Sequence, residues 1–338
     1  MSVAAASLFD HLDDMTDERG LFEHAEWAVR RIEHGYCTDD NARMLVVTSR
    51  EPDAGVAGRL GRVALRFTLA AQSPDGRTRN RMDRFGTWTD RPTTEDCWGR
   101  SMWGLGVAAA AHEDPAIRTA ANAAFVVGTR QRSSWPRAMA FAGLGAAEIL
   151  AEQPSHDEAR ALLRDAANAV GEIGPVPWRW PEPRLAYANA VLAEATIAAG
   201  AALDDSDLLD RGLTMLEWLL ERQTRDGHLS VTAVGGTQGP DAGPQFDQQP
   251  IEVAALADAC WRAATLTGRP LWSDGVAMAA RWFEGDNDSG APMRDLATGG
   301  GFDGLRIDGV NLNQGAESTL ALISTVQRAG ALHLAPSA

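Results

Sequence analysis

The chain has 338 residues, 45% of them hydrophobic, and a formal net charge of −15 at pH 7. So acidic a chain lacks the basic face that binds nucleic acid, and anionic membranes would repel it. The three cysteines, Cys37, Cys97 and Cys260, form no CxxC pair, which predicts a cytoplasmic protein without a disulfide framework. The sequence shows neither a basic leader nor a membrane-length apolar run, so we expect no signal peptide and no membrane partner.

Apolar residues recur at three- and four-residue spacing through most of the chain, which indicates helices. Strand signals are restricted to short runs at 228–234 and 302–310. In chain order, the predicted helices are 2–17, 24–33, 39–50, 56–72, 95–112, 115–129, 135–152, 156–172, 183–200, 206–224, 249–267, 269–284 and 314–329.

The predicted helices alternate between two characters. Six are rich in alanine, glycine and leucine and open with a polar signature, whereas those between them, such as 56–72 and 206–224, are amphipathic. Small apolar helices belong inside and amphipathic helices outside. The alternation predicts an all-α (α/α)6 toroid over 1–338 as a single domain, with an N-terminal helix closing the ring. A helical solenoid is the alternative, but it would not place polar residues at the start of every second helix.

In such a ring the inner helices run parallel, so their six N-termini meet at one mouth. The polar signatures should converge there, together with the unpaired N–H groups and positive dipole ends of the helices. Two long loops, 225–248 and 285–313, precede the fifth and sixth inner helices and feed the same mouth. Loops of this length in a compact domain are usually functional or disordered, and their position favours function.

Two inner helices are predicted to open with a capping threonine (Thr38 and Thr94), two acids and an arginine. Helical spacing places Arg43 on the face of Asp40 and Arg100 on the face of Asp96. Capping alone explains acids in a first turn, but charges on an inner helix need partners and are therefore structural ties or site residues. The candidates from these two openings are Asp39, Asp40, Arg43, Glu95, Asp96 and Arg100.

The candidate catalytic groups are Asp40 with Glu95 or Asp96, and Glu252 as an alternative partner. Asp40, beside an arginine at a helix start, is expected to stay ionised and to act as the base. Tryptophans near the second pair of acids (Trp88, Trp98 and Trp103) should raise a carboxyl pKa toward general-acid duty. Two carboxyls with separated pKa values across a cleft suit the cleavage of a glycosidic bond.

Aromatic and amide side chains near the helix starts predict a sugar-binding lining. The chain has 11 tryptophans and two tyrosines, and Trp178 and Trp180 fall on one side of an extended segment before a helix start. The other interpretation is that tryptophans fill the wide end of the toroid. Amides both donate and accept, which suits neutral polyhydroxylated ligands. The remaining substrate-binding candidates are Tyr187, Asn189, Asp247, Gln248, Gln249, Asn313, Gln314 and Glu317.

Signals for metals and cofactors are weak, and we predict neither. A zinc site from His34, Cys37 and Cys97 stays as an alternative without supporting spacing. No glycine-rich phosphate loop and no serine-histidine-aspartate signature occurs.

Four motifs spread over nearly the whole chain are Gly35-Tyr36-Cys37-Thr38-Asp39-Asp40-Asn41-Ala42-Arg43, Glu95-Asp96-x-x-Gly99-Arg100, Phe246-Asp247-Gln248-Gln249-Pro250 and Asn313-Gln314-Gly315-Ala316-Glu317-Ser318. Together they resemble a group of bacterial toroid proteins encoded beside, or fused to, glycosyltransferases and mannoside-active enzymes. That group is similar to a branch of the six-hairpin glycosidase superfamily, whose members hydrolyse or phosphorolyse glycosidic bonds, usually with inversion. The resemblance implies a carbohydrate ligand such as a mannoside and a glycosyltransferase partner, but identifies neither acid nor base.

The sequence therefore favours an inverting glycoside hydrolase or phosphorylase that acts on an oligosaccharide or glycoside. One alternative is a non-catalytic sugar-binding partner of a glycosyltransferase. Another is a terpene-cyclase-like toroid, whose lining should be more aromatic and apolar. A sugar epimerase would need histidines at the mouth, where only His34 and His228 are predicted.

Overall fold

The computed structural model describes residues 7–52, 54–240 and 243–334. Over these residues the helices are α1 Asp10–Asp14, α2 Thr38–Ser49, α3 Gly55–Ala71, α4 Asp96–Ala111, α5 Pro115–Gly128, α6 Pro136–Glu152, α7 Asp157–Val170, α8 Ala190–Ala202, α9 Ser206–Arg222, α10 Pro250–Thr267, α11 Pro270–Phe283 and α12 Ala316–Leu334. The antiparallel strand pairs are β1 Ala25–Glu26 with β2 Val29–Arg30, β3 Tyr36–Cys37 with β4 Arg81–Met82, β5 Thr224–Arg225 with β6 His228–Leu229, and β7 Gly304–Arg306 with β8 Gly309–Asn311.

The even-numbered helices form a closed inner ring. Each of α2, α4, α6, α8, α10 and α12 packs on the next, and α12 packs back on α2. The odd-numbered helices α3, α5, α7, α9 and α11 lie outside and bury one stripe each. The predicted (α/α)6 toroid is therefore confirmed. No helix among the described residues is long and apolar enough to cross a bilayer.

Glycines let the inner helices α4 and α6 approach backbone to backbone. A Cβ added to Gly145 would lie 2.2 Å from the carbonyl oxygen of Met102, and one added to Gly106 would lie 2.3 Å from that of Gly145. Real side chains do not tolerate such distances, so the small residues of these helices are a packing requirement. This explains the alanine- and glycine-rich composition that marked the inner helices in the sequence.

Three boundary predictions need correction. The predicted helix 24–33 is the β1–β2 hairpin followed by a 3-10 turn at Ile32–His34. The fourth inner helix begins at Ala190 rather than at 183, because Ala188 just before it adopts a left-handed backbone (φ 44°). Of the strand predicted at 228–234, only β6 at its start is a strand in the structure. The prediction at 302–310 does contain β7 and the start of β8.

The N-terminal closing helix is shorter than predicted. Residues 2–6 of the predicted helix 2–17 lie outside the described residues, and α1 covers one and a half turns, packing against α12 and α3 as ring closure requires. The N-caps also shift by one residue: Cys37 caps α2 and Glu95 precedes α4, in place of Thr38 and Thr94. Thr38 instead lies inside α2 and donates to the carbonyl oxygen of Arg79.

Gly145→Ala should lower the free energy of unfolding by about 1–3 kcal/mol, because the added methyl forces α4 and α6 apart. The matched control is Gly330→Ala on α12, where an added Cβ meets nothing within 4 Å. That variant should gain up to about 1 kcal/mol from better helix propensity. Urea unfolding of the two variants measures both effects, and equal stability would contradict the close-packing interpretation.

Candidate active site at the toroid mouth

A pocket of about 430 Å³ opens at the N-terminal ends of the inner helices. It lies where α2, α4, α10 and α12 begin, and both long loops contribute to its wall. The polar signatures of four inner helices thus converge at this pocket, as the sequence predicted, whereas those of α6 and α8 do not line it. The charged side chains that line the pocket are Glu23, Asp39, Asp40, Asp247, Asp303 and Glu317, with Arg43, Arg81 and Arg100.

The guanidinium of Arg43 joins two of these carboxylates. It donates from Nη2 to Asp40 Oδ1 and from Nη1 to Glu317 Oε2, both at 2.7 Å. The Cys37 thiol donates to the other oxygen of Asp40 at 3.1 Å. Asp40 is 2% exposed, whereas the side chain of Glu317 is 42% exposed toward the open pocket. One arginine therefore holds a buried acid of α2 and a solvated acid of α12 in the same site.

The pKa values of the two acids move in opposite directions. Burial raises the pKa of Asp40 to about 6, although Arg43 opposes the shift. Burial would also raise the pKa of Glu317, but the charges of Arg43 and Arg100 outweigh it and leave the pKa below its usual value. Burial therefore outweighs the effect of the arginine on the pKa of Asp40, although a pKa of about 6 still leaves this carboxyl mainly ionised at pH 7.

A second ion network lies beside the first. Arg100 is 6% exposed, with its Nη1 3.1 Å from Asp39 Oδ1 and 3.7 Å from Asp96 Oδ2. The Tyr187 hydroxyl donates to Asp96 Oδ2 at 2.7 Å. Asp96 is thus partnered at the edge of the mouth, and Glu95 is exposed. The acid–arginine spacing predicted from the sequence is confirmed for both helices, by Asp40 with Arg43 and by Asp96 with Arg100.

The tryptophans expected to flank Asp96 face elsewhere. Trp98 is fully buried, and its Nε1 donates to the carbonyl oxygen of Gly128 at the end of α5. Trp103 stacks near Phe141 in the lumen of the ring. The polar neighbours Tyr187 and Arg100, rather than an apolar wall, surround the Asp96 carboxylate.

Glu252 lies behind the pocket and fixes the start of α8. Its two oxygens accept hydrogen bonds from the backbone N–H of Ala188, the backbone N–H of Asn189 and the Asn189 amide. Burial raises the pKa of Glu252 to about 7 in spite of these donors. In this conformation Glu252 and Asn189 brace a helix terminus and do not line the pocket.

Trp178 and Trp180 pack on the outer helix α9. Trp180 is 1% exposed and stacks on Trp218 with ring centroids 5.8 Å apart, and Trp178 meets the same ring edge-on. The alternation of the two tryptophans therefore serves packing between α9 and the segment before α8. Neither ring reaches the pocket.

Some of the predicted polar residues line the pocket, and others form hydrogen bonds that hold the loops together. Asp247 and Gln249 line the pocket, whereas Gln248 is buried and its Nε2 donates to Asp288 Oδ2 at 2.6 Å. Gln248 and Leu305 also exchange backbone hydrogen bonds, which join the two long loops. In the last motif, Asn313 Oδ1 accepts from Trp27 N, and Gln314 Oε1 accepts from Thr298 Oγ1.

Four ionisable pocket residues were missed by the sequence analysis: Glu23, His24, Arg81 and Asp303. Glu23 and His24 lie at the edge of a segment predicted as a helix, Arg81 lies between two predicted helices, and Asp303 lies in the loop 285–313, which was predicted to feed the mouth without Asp303 being singled out. Asp303 Oδ1 accepts from Gly315 N and from Ser318 Oγ, and burial raises its pKa. The available signal was position, since each residue shortly precedes an inner helix.

One group of pocket side chains has ligand atoms close enough for a cation. A carboxylate oxygen of Glu23, the Cys37 sulfur and a carboxylate oxygen of Asp40 lie within 4.8 Å of one another. This differs from the zinc alternative of His34, Cys37 and Cys97. Both carboxylates already pair with arginines, Glu23 with Arg81 and Asp40 with Arg43, so a cation would compete with existing ion pairs.

No protein-family model and no curated protein matches this sequence. Solved structures do match over almost the whole chain. A sugar epimerase from a ruminal bacterium has 10% identity and a TM-score of 0.69, covering 95% of this chain and 96% of that chain. The cellobiose 2-epimerase of Spirochaeta thermophila has 12% identity and a TM-score of 0.69, covering 96% and 95%.

A cellulase of C. cellulolyticium in complex with cellobiose has 8% identity and a TM-score of 0.63, covering 93% of this chain and 88% of that chain. These neighbours belong to the six-hairpin glycosidase superfamily. At such identities the likeness establishes the (α/α)6 fold, and function has to be argued from the pocket itself.

Glu252→Gln should lower stability by about 1–3 kcal/mol, because the new NH2 group would face donors instead of acceptors. The raised pKa means that the folded state binds the Glu252 proton more tightly, so wild-type stability falls as pH rises from 4.5 to about 7. The difference in unfolding free energy between the wild type and Glu252→Gln should therefore shrink over that range. Unfolding free energies at several pH values test this, with the exposed Glu221→Gln as control. A stability difference that does not change with pH would contradict the raised pKa of Glu252.

Proposed function

We propose that this protein is a carbohydrate-active enzyme that cleaves a glycosidic bond with inversion, as a hydrolase or a phosphorylase. The observation that carries the proposal is the pair Asp40 and Glu317, held by one guanidinium with pKa values displaced in opposite directions. Environments that separate two carboxyl pKa values are the means by which enzymes assign an acid and a base. Glycosidic cleavage requires one of each.

Asp40 is the general acid in this proposal. With a pKa of about 6 it is protonated in mildly acidic solution and can donate to the leaving glycosidic oxygen. Arg43 then stabilises the carboxylate that remains. This reverses the role expected from the sequence, where Asp40 was the candidate base and Glu95 or Asp96 the acid.

Glu317 is the general base. Its depressed pKa keeps it ionised, and its side chain is accessible to water in the pocket. In hydrolysis it accepts a proton from the water that attacks the anomeric carbon. In phosphorolysis inorganic phosphate would be the nucleophile, so phosphate dependence distinguishes the two reactions.

The proposed substrate class rests on the side chains that line the pocket and on the similarity of this chain to other proteins. Amide and carboxylate groups such as Gln249, Asn311 and Asp303 face the pocket and can hydrogen-bond hydroxyls. The sequence motifs resemble those of mannoside-associated toroids, and one similar structure was solved with cellobiose. We therefore propose a neutral glycoside, with mannosides as the first class to test.

Asp40→Asn should lower kcat on natural glycosides by about 100-fold or more, because the leaving oxygen loses its acid. On an aryl glycoside with a good leaving group, such as a dinitrophenyl mannoside, the same variant should keep most of its activity. Glu317→Gln should lose activity on both substrates, since activation of water is still needed. Steady-state kinetics on both substrate types, with and without phosphate, provide the measurement.

Wild-type activity should fall as pH rises through about 6, where Asp40 loses its proton, and fall again at low pH as Glu317 is protonated. Melting temperatures of the variants serve as the folding control. Equal losses of Asp40→Asn on both substrates would contradict its role as the acid. Sugar binding without turnover by the wild type would favour a non-catalytic sugar-binding protein.

A sugar epimerase is the second candidate, because His24 lies in the pocket. Its side chain is 52% exposed, its Nε2 lies 3.7 Å from Glu23 Oε1, and its ring contacts His34 edge-on at 5.1 Å. An imidazole can remove and return a proton at the carbon next to a sugar carbonyl. Two of the similar structures are epimerases.

Incubation with reducing sugars in D2O tests this second function. An epimerase should incorporate deuterium at C2 of mannose, glucose or cellobiose, and His24→Gln should abolish the exchange. Leu266→Ala, at an exposed position near the C-terminal end of α10 and away from the mouth, is the control. Glycosidic cleavage without deuterium incorporation would exclude the epimerase and leave the hydrolase.

A further inference from the structure

All four exposed aromatic side chains of the described residues lie on segments that lead into inner helices. They are Trp27 before α2, Phe85 before α4, Trp135 at the start of α6 and Tyr187 before α8. The opposite face of the toroid has none among these residues. These segments lead to the end of the ring at which the pocket opens.

Trp27 differs from the other three because its backbone is unfavourable for a large side chain. It occupies the turn between β1 and β2 with a left-handed φ of 56°. Glycine and asparagine adopt this conformation at little cost, whereas bulky residues rarely do. The side chain is 63% exposed and makes no ring contact or cation–π contact with the part of the chain that the structure describes, so folding gains little from it.

The same residue is held firmly against the site. Trp27 N donates to Asn313 Oδ1 at 2.9 Å, and its carbonyl oxygen accepts from Gln314 N at 2.8 Å. Further along the contact, the carbonyl oxygen of Glu23 accepts from Ala316 N at the first turn of α12. The hairpin is thereby fixed to the residues that immediately precede Glu317. Backbone strain at an exposed residue that several hydrogen bonds hold in place is typical of sites that contact a ligand.

We propose that Trp27 is a stacking platform for a sugar unit beyond the one in the pocket, so that the substrate is an oligosaccharide chain crossing the rim. This rests on the proposed function, which supplies the sugar in the pocket. The Trp27 backbone is held by Asn313 and Gln314, and its exposed indole offers a flat apolar face on which the apolar face of a sugar ring can stack.

Trp27→Ala should lower kcat/KM by about tenfold on chains of four to six units and leave a single-sugar aryl glycoside unaffected. Trp27→Phe should keep most of the wild-type value, because a ring remains. The matched control is Ile307→Ala, an equally exposed apolar residue in the β7–β8 turn. The probes are α- and β-linked manno-oligosaccharides and cello-oligosaccharides of two to six units, with binding followed by saturation-transfer NMR.

The outcomes separate the two proposals. A length-dependent loss in Trp27→Ala, with an unchanged melting temperature, supports the platform. Wild-type cleavage or binding with equal values for Trp27→Ala at every length overturns the platform and leaves the proposed function intact. An equal loss on short and long substrates also overturns it, because Trp27 would then act on the pocket. A wild type that neither binds nor cleaves any probe overturns both.

Discussion

The bridge from Arg43 to Asp40 and Glu317 is the interaction on which the architecture and the site both depend. α2 and α12 are the first and last inner helices, and the toroid is closed only because they pack together. Arg43 spans that seam at its polar end, with two hydrogen bonds of 2.7 Å to carboxylates. The guanidinium that assembles the acid pair therefore also joins the first and last inner helices across this seam.

The opposite end of the same seam carries a second buried network. Arg50, just past the end of α2, donates to Ser324 of α12 and to Asp258 of α10, and Arg328 of α12 donates to the same Asp258 oxygen. Between the two networks the lumen is apolar, lined by residues such as Val47, Trp103 and Leu320. The ring is thus tied by ion pairs at both ends, with an apolar layer between them.

The helical architecture was predictable because it depends on local, periodic signals. Small residues all round a helix and charges on one face of the next helix determine which elements lie inside, and the pairs Asp40–Arg43 and Asp96–Arg100 follow from helical spacing. The segment 24–33 was not predictable in this way. Its apolar spacing resembles a helix, but contacts with residues 313–316, distant in sequence, hold it as a hairpin.

The division of roles among the candidate residues also depended on tertiary structure. Asp40 carries the arginine partner that the sequence suggested, but only the fold determines how much water Asp40 and Glu252 each lose. Burial raises the pKa of both acids, whereas Glu317, four residues past Asn313, stays solvated between two arginines. Trp180 shows the same limit, since an alternating tryptophan pattern fits a sugar platform and a packed wall equally well, and only contact with Trp218 distinguishes them.

The charge pairing within the pocket bears on the choice between hydrolysis and phosphorolysis. Each arginine of the described pocket wall already has carboxylate partners: Arg43 has Asp40 and Glu317, Arg81 has Glu23, and Arg100 has Asp39 and Asp96. Phosphate recognition relies on guanidinium or ammonium groups that can turn their donors to the anion, and acids close by oppose it. The six pocket carboxylates outnumber the three arginines. A pocket with this excess of negative charge suits water and a neutral sugar better than phosphate. This favours a hydrolase within the proposed class.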